Sequence, residues 1–170
     1  MIHVCPLARL HETVAETGAR HVVSLLARED NLARPAAIAP ENHLWLQLHD
    51  ISAPMDGYVI PERRHVERLI GFVRNWPRET PLVVHCYAGV SRSTAAAFVS
   101  VCALSAASNE LAVAAALRRA SPTATPNIRI VELADHLLGR SGRMVRAVEA
   151  IGPGVVVREA QPFRLELAGH

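Results

Sequence analysis

Apolar residues fall along the chain in two rhythms. Short runs at Ile2–Val4, His21–Leu26 (HVVSLL), His43–Leu48 (HLWLQL) and Leu82–His85 (LVVH) have the length and β-branched content of strands. The last shows no alternation, the pattern of a strand buried on both faces inside a parallel sheet. Elsewhere the spacing is helical. Ala8–Thr17 ends at Gly18, a helix-stopping glycine. A helix begun at Pro61 sets Val66, Leu69, Ile70, Val73 and Trp76 on one face and is closed by Pro77 and Pro81. Arg92 to about Ala107 reads as one helix and Asn109–Arg119, capped by Ser108, as a second. A third runs from Asn127 to near Gly139, and a fourth, capped by Ser141, to Gly152. Residues 27–42 and 49–60 read as loops, and Gly152-Pro153-Gly154 as a turn before three valines. Strand–helix alternation followed by a helical half predicts an α/β fold: a central, mainly parallel sheet of four to five strands between layers of helices.

Composition narrows the functions. The chain has 170 residues, half of them hydrophobic, with a net charge of +2, which fits one domain with a sizeable core. All 18 basic side chains are Arg; the absence of Lys excludes a Schiff base, a Walker lysine or a lysine general base. Modest charge and 4% aromatic residues speak against a nucleic-acid partner. No run is long and apolar enough to span a membrane, and the first residues do not read as a signal peptide. Cys5, Cys86 and Cys102 form no CxxC pair and no disulfide framework, so a reducing, cytoplasmic setting is expected, with Cys5 and Cys102 in the core. The nine histidines show no metal-ligand spacing, and no metal or cofactor is expected. Arg118, Arg119, Arg140, Arg143 and Arg146 read as solvated helix faces.

The chemistry concentrates in His85-Cys86-Tyr87-Ala88-Gly89-Val90-Ser91-Arg92-Ser93-Thr94, where the buried strand meets a helix. Ligands bind at the carboxyl ends of such strands. Successive backbone N–H groups of Tyr87–Arg92, with those of the helix start, can cradle an anion, and Gly89 supplies the backbone freedom this needs. Cys86 at the floor of the cradle is expected to ionise readily beside a helix N-terminus and a guanidinium. Arg92, five residues further on, can return across the loop and grip two phosphate oxygens. Thiolate attack on phosphorus would give a cysteinyl phosphate. The Ser93 hydroxyl can donate to the sulfur, and His85 is expected to point away from the pocket and bond the loop backbone.

HCYAGVSRST resembles the signature of the cysteine-based protein tyrosine phosphatases, and within them the dual-specificity branch. LQLHD, the helix from Pro61, the helix after Arg92 and the Pro126-Asn127 helix start follow that branch's order, so the resemblance spans roughly residues 2–138. It implies a phosphatase domain at 1–139; residues 140–170 lie outside the resemblance and are expected to form a C-terminal helix and extension packed on the same domain. It also implies hydrolysis of a phosphorylated protein or peptide with release of phosphate, and an aspartic acid on a mobile loop to protonate the leaving oxygen. Asp50, at the end of HLWLQL, is the preferred acid and Asp56 the alternative. The WPD triad and the phosphotyrosine-recognition loop of receptor-like relatives are absent, so phosphoserine and phosphothreonine could enter as well. Two other readings stay open: a phosphoprotein-binding pseudophosphatase, and a phosphatase of a non-protein phosphoester, against which the uncharged loop positions Tyr87, Ala88, Val90 and Ser91 speak.

Overall fold

The computed structural model describes residues 1–107 and 109–167. Its elements are β1 (Ile2–Pro6), α1 (Leu10–Thr17), β2 (His21–Leu26), β3 (His43–Gln47), α2 (Arg63–Asn75), β4 (Leu82–Cys86), α3 (Arg92–Leu104), α4 (Glu110–Ala120), α5 (Ile128–Leu137), α6 (Arg143–Ile151) and β5 (Phe163–Leu165). The sheet order is β3-β2-β4-β1-β5. The first four strands are parallel, and β5 runs antiparallel to β1 along one edge. All five residues of β4 are buried, because a parallel strand flanked by β1 and β2 is also covered on both faces.

Strand alternation splits the core in two. Cys5, Val22 and Val83 face α1 through Leu10 and Val14. Val4, Val23, Leu25, Val84 and Cys86 face the opposite layer, where α3 packs with Phe98 fully buried. Every residue of α3 from Arg92 to Ala103 is buried, and its alanines let neighbouring helices approach closely. No helix among the described residues is long and apolar enough to cross a membrane.

Helix ends depart from the sequence pattern for identifiable reasons. The helix expected from Pro61 starts at Arg63, because Glu62 takes the cap and its N–H donates to His65 Nδ1 at 3.0 Å. Ser108 lies outside the described residues; the α4 cap is Asn109, whose side chain accepts from the Ala112 N–H. The helix expected to reach Ala107 ends at Leu104. There the Arg140 guanidinium donates to the carbonyls of Cys102, Ser105 and Ala106 and pairs with Glu110 at 3.1 Å. Arg140 is thus a buried clamp and not part of a solvated face. Ser141 does not cap α6; Asp135 of α5 accepts from the N–H groups of Gly142 (2.6 Å) and Met144 (2.8 Å).

Candidate active site

A cavity of about 380 Å³ opens at the carboxyl end of β4, and Cys86, Tyr87, Ala88, Ser91, Arg92 and Asp50 line it with Glu29, Asp30 and His49. The loop 87–91 is wrapped around Gly89, at φ +72°. A side chain there would also meet the Pro6 nitrogen at 2.9 Å and the Cys5 carbonyl carbon at 3.1 Å, so only glycine lets the loop lie against β1.

The loop carbonyls are tied outward by other parts of the chain. Tyr87 O accepts from the Leu7 N–H, Ala88 O from Ala160, Val90 O from Thr125 and Ser91 O from Asn127, at 2.9–3.2 Å. Thr94 Oγ1 also donates to the Val90 and Ser91 carbonyls. A trans peptide places its N–H opposite its carbonyl. Outward carbonyls at these four positions therefore turn the N–H groups of Ala88, Gly89, Ser91 and Arg92 toward the cavity. The result is a ring of donors suited to a tetrahedral anion.

Cys86 Sγ lies 3.1 Å from Ser93 Oγ. Arg92 folds back over the loop and is only 7% exposed. Its Nη1 donates to Leu48 O at 2.9 Å, which fixes the plane of the guanidinium, while its buried Nε has no partner among the described residues. An unpaired buried N–H is costly, and an anion held above Cys86 would satisfy it. Cys5 and Cys102 are different thiols: burial pushes the pKa of each up to about 12. Cys5 sits on the sheet face opposite Cys86 and is not placed to form a disulfide with it.

Asp50 follows β3 and reaches the cavity rim. Its Oδ1 accepts from Ser91 Oγ and from Asn127 Nδ2, both at 2.8 Å. Asn127 Oδ1 meanwhile caps α5 by accepting from the Ile130 N–H. The loop carrying Asp50 is closed at its base by His49, whose N–H donates to Val59 O and whose Nδ1 accepts from the Val59 N–H, each at 2.8 Å. That leaves His49 Nε2 to carry the hydrogen donated to Glu29. Asp56 lies exposed in the turn Met55–Tyr58, away from the residues lining the cavity.

His85 points away from the cavity, and its ring bonds Ser24. Ser24 Oγ lies 2.6 Å from His85 Nε2 and 2.8 Å from His43 Nε2. Having one hydrogen, the hydroxyl donates to one ring and accepts from the other. Burial, then the neighbouring His43, pushes the His85 pKa down to about 3, so the ring is neutral.

The structure thus brings Cys86, Arg92 and Asp50 to one cavity, sets Ser93 against the Cys86 sulfur and leaves Asp56 outside. It adds Asn127, which the sequence marks only as a helix cap, and Ala160, which carries no local signal. The family model described as protein-tyrosine phosphatase matches residues 42–121. No curated protein sequence matches the chain significantly. The structure of DUSP15 is similar, with a TM-score of 0.65 and 17% identity, covering 88% of this chain and 89% of that one. Human tyrosine phosphatase-like serine/threonine/tyrosine-interacting protein gives a TM-score of 0.63 at 16% identity, with 82% and 92% covered. PTPMT1 in complex with PI(5)P gives 0.57 at 18% identity, with 85% and 91% covered.

Proposed function

We propose that this chain is a cysteine-dependent phosphatase of the protein tyrosine phosphatase family, a reading supported by the family match over residues 42–121 and by the fold. Its substrate is a phosphorylated protein or peptide, with dual specificity. The observation that carries the reading is the unpaired, buried Nε of Arg92, in the cavity that Cys86 also lines and at the end of a loop whose carbonyls are tied outward.

The phosphoryl group enters with its non-bridging oxygens toward the loop N–H groups and the Arg92 fork. The Cys86 thiolate attacks phosphorus, an S–P bond forms, and the bond to the leaving oxygen breaks. That oxygen takes the proton of Asp50. Water then attacks the cysteinyl phosphate and gives a proton to the Asp50 carboxylate. The S–P bond breaks, and the Ser93 hydroxyl stabilises the departing thiolate. Equatorial oxygens meet donors already in place, which is where most of the rate gain arises. Nucleophile, donors and acid all come from the chain, and the reaction needs no cofactor. Tyr87, exposed at the cavity mouth, offers a face to the substrate's own side chain. Residues 1–139 and 140–170 act as one catalytic unit, a reading supported by the Ala160–Ala88 bond. A reducing cytoplasm suits three unpaired cysteines.

The test is turnover of p-nitrophenyl phosphate in EDTA by wild type and by Cys86→Ser. Metal-free turnover that falls by about a thousandfold or more in the variant is expected. Phosphopeptide binding by the wild type without turnover would instead make the protein a pseudophosphatase.

A further inference from the structure

A second and larger cavity, of about 690 Å³, adjoins the first and shares Ala27, Glu29 and His49 with it. Its other walls come from the end of β2, from β3 and from the first turns of α2. Three of them are cationic: Arg28, Arg64 and Arg68.

The charges there are unevenly spent. Glu62 holds Arg64 at 2.7 Å, and Glu29, the acid in the lining, accepts from His49. Arg28 and Arg68 have no carboxylate partner among the described residues. His65 lines the same cavity and is 6% exposed. Its Nδ1 accepts from the Glu62 N–H. Burial first, then the charge of Arg64, lowers its pKa, so the ring is neutral and its hydrogen sits on Nε2. That Nε2 has no acceptor among the described residues. Two unpaired guanidinium groups and one neutral histidine thus line a concavity that adjoins the phosphate cradle.

We infer that this groove is a second anion subsite, and that it holds an acidic side chain of the same phosphopeptide whose phosphate lies over Cys86. The inference rests on the phosphatase reading for the identity of the substrate. The uncharged catalytic loop suits a single phosphoryl group, and the arginines next door supply recognition of its neighbour. The shared partition fixes the distance between the two anions, so the groove selects by sequence context and leaves the chemical step alone. Its contribution falls on KM and weakens with salt, because Arg28 and Arg68 are solvent-exposed.

The experiment compares phosphotyrosine peptides that differ only in flanking residues. One set is acidic, one carries the matching amides, and one carries a phosphoserine beside the phosphotyrosine. p-Nitrophenyl phosphate, which has no second anion, is the control. Wild type should favour the acidic and doubly phosphorylated peptides over the amides by roughly twofold to thirtyfold in kcat/KM, the range two exposed ion pairs supply. The stronger of the two names the preferred anion. In Arg28→Ser/Arg68→Ser the preference should vanish through KM, while p-nitrophenyl phosphate turnover stays within about twofold of wild type. Equal rates on acidic and amide peptides, or a preference that the double variant retains, would overturn the subsite. If wild type fails to hydrolyse p-nitrophenyl phosphate, the phosphatase reading falls separately. Calorimetric binding of the same peptides to both proteins then decides the groove by the same ratio.

Discussion

One oxygen of Asp50 accepts both of its hydrogen bonds, from Ser91 and Asn127, which leaves the other to carry a proton over the cavity. Protonation of the leaving group by a positioned acid contributes about 10²–10⁴-fold, and more for a poor leaving group. Asp50→Asn should therefore lower kcat by about that factor on an alkyl phosphate and much less on p-nitrophenyl phosphate. Asp56→Asn should stay within a few-fold of wild type on both. A profile in which the two variants exchange behaviour would move the acid to the turn at Met55–Tyr58. Cys86, Gly89, Arg92 and Ser93 are legible in the sequence because their geometry is set within eight residues of chain. The tie from Asn127 to Asp50 is not, since it joins residues 77 positions apart and nothing local distinguishes a capping asparagine with a second task. His85 shows the same limit: the sequence places it behind the nucleophile, whereas its partner, Ser24, is chosen by strand register.

At the scale of elements, the loop 87–91 is held by Leu7 just after β1, by the α4–α5 connection and by the C-terminal extension. The extension has its own anchors: β5 pairs with β1, the Gly154 N–H donates to Thr125 Oγ1, and Arg118 donates to the carbonyls of Pro122 and Gly152. Through the Ala160 N–H it fixes the Ala88 peptide, and so the direction of the Gly89 N–H. Ala160→Pro removes that donor and leaves the Ala88 carbonyl unsatisfied, a loss of about 1–3 kcal/mol in a buried setting. The variant should lose roughly tenfold or more in kcat/KM on every substrate, with weaker inhibition by inorganic phosphate and the fold retained. Ala160→Gly, which keeps the N–H, should remain near wild type. Equal behaviour of the two variants would show that the extension does not orient the loop. The strands up to β4 are readable because parallel burial leaves an apolar run. β5 is not, because three residues at a sheet edge carry no period. Helix starts and stops shifted wherever a distant side chain supplied the cap, as Asp135 does for α6 and Arg140 for the end of α3.

The whole molecule depends on a neutral His85 under its sheet. The histidine is ordinary when unfolded and has a pKa near 3 when folded, so below about pH 6.5 the unfolded chain binds the extra proton. Stability present above that pH is lost as pH falls toward 3, by ~1.4 kcal/mol per pH unit from this group. His3, His21, His43 and His65 are shifted the same way and add to the slope. Urea unfolding between pH 7 and 4 should show the loss, with a slope shallower by about one proton in His85→Gln. A slope unchanged by that substitution would place the acid sensitivity elsewhere. The proposed mechanism rests on a single bond between Cys86 and phosphorus, and the most direct measurement is to trap it. Wild type mixed with a phosphotyrosine peptide, quenched within one turnover and digested, should yield a peptide carrying one phosphoryl group on Cys86. The same experiment on Cys86→Ser should yield none. A phosphoryl group found on another residue, or turnover that persists in the variant, would contradict the cysteinyl-phosphate mechanism.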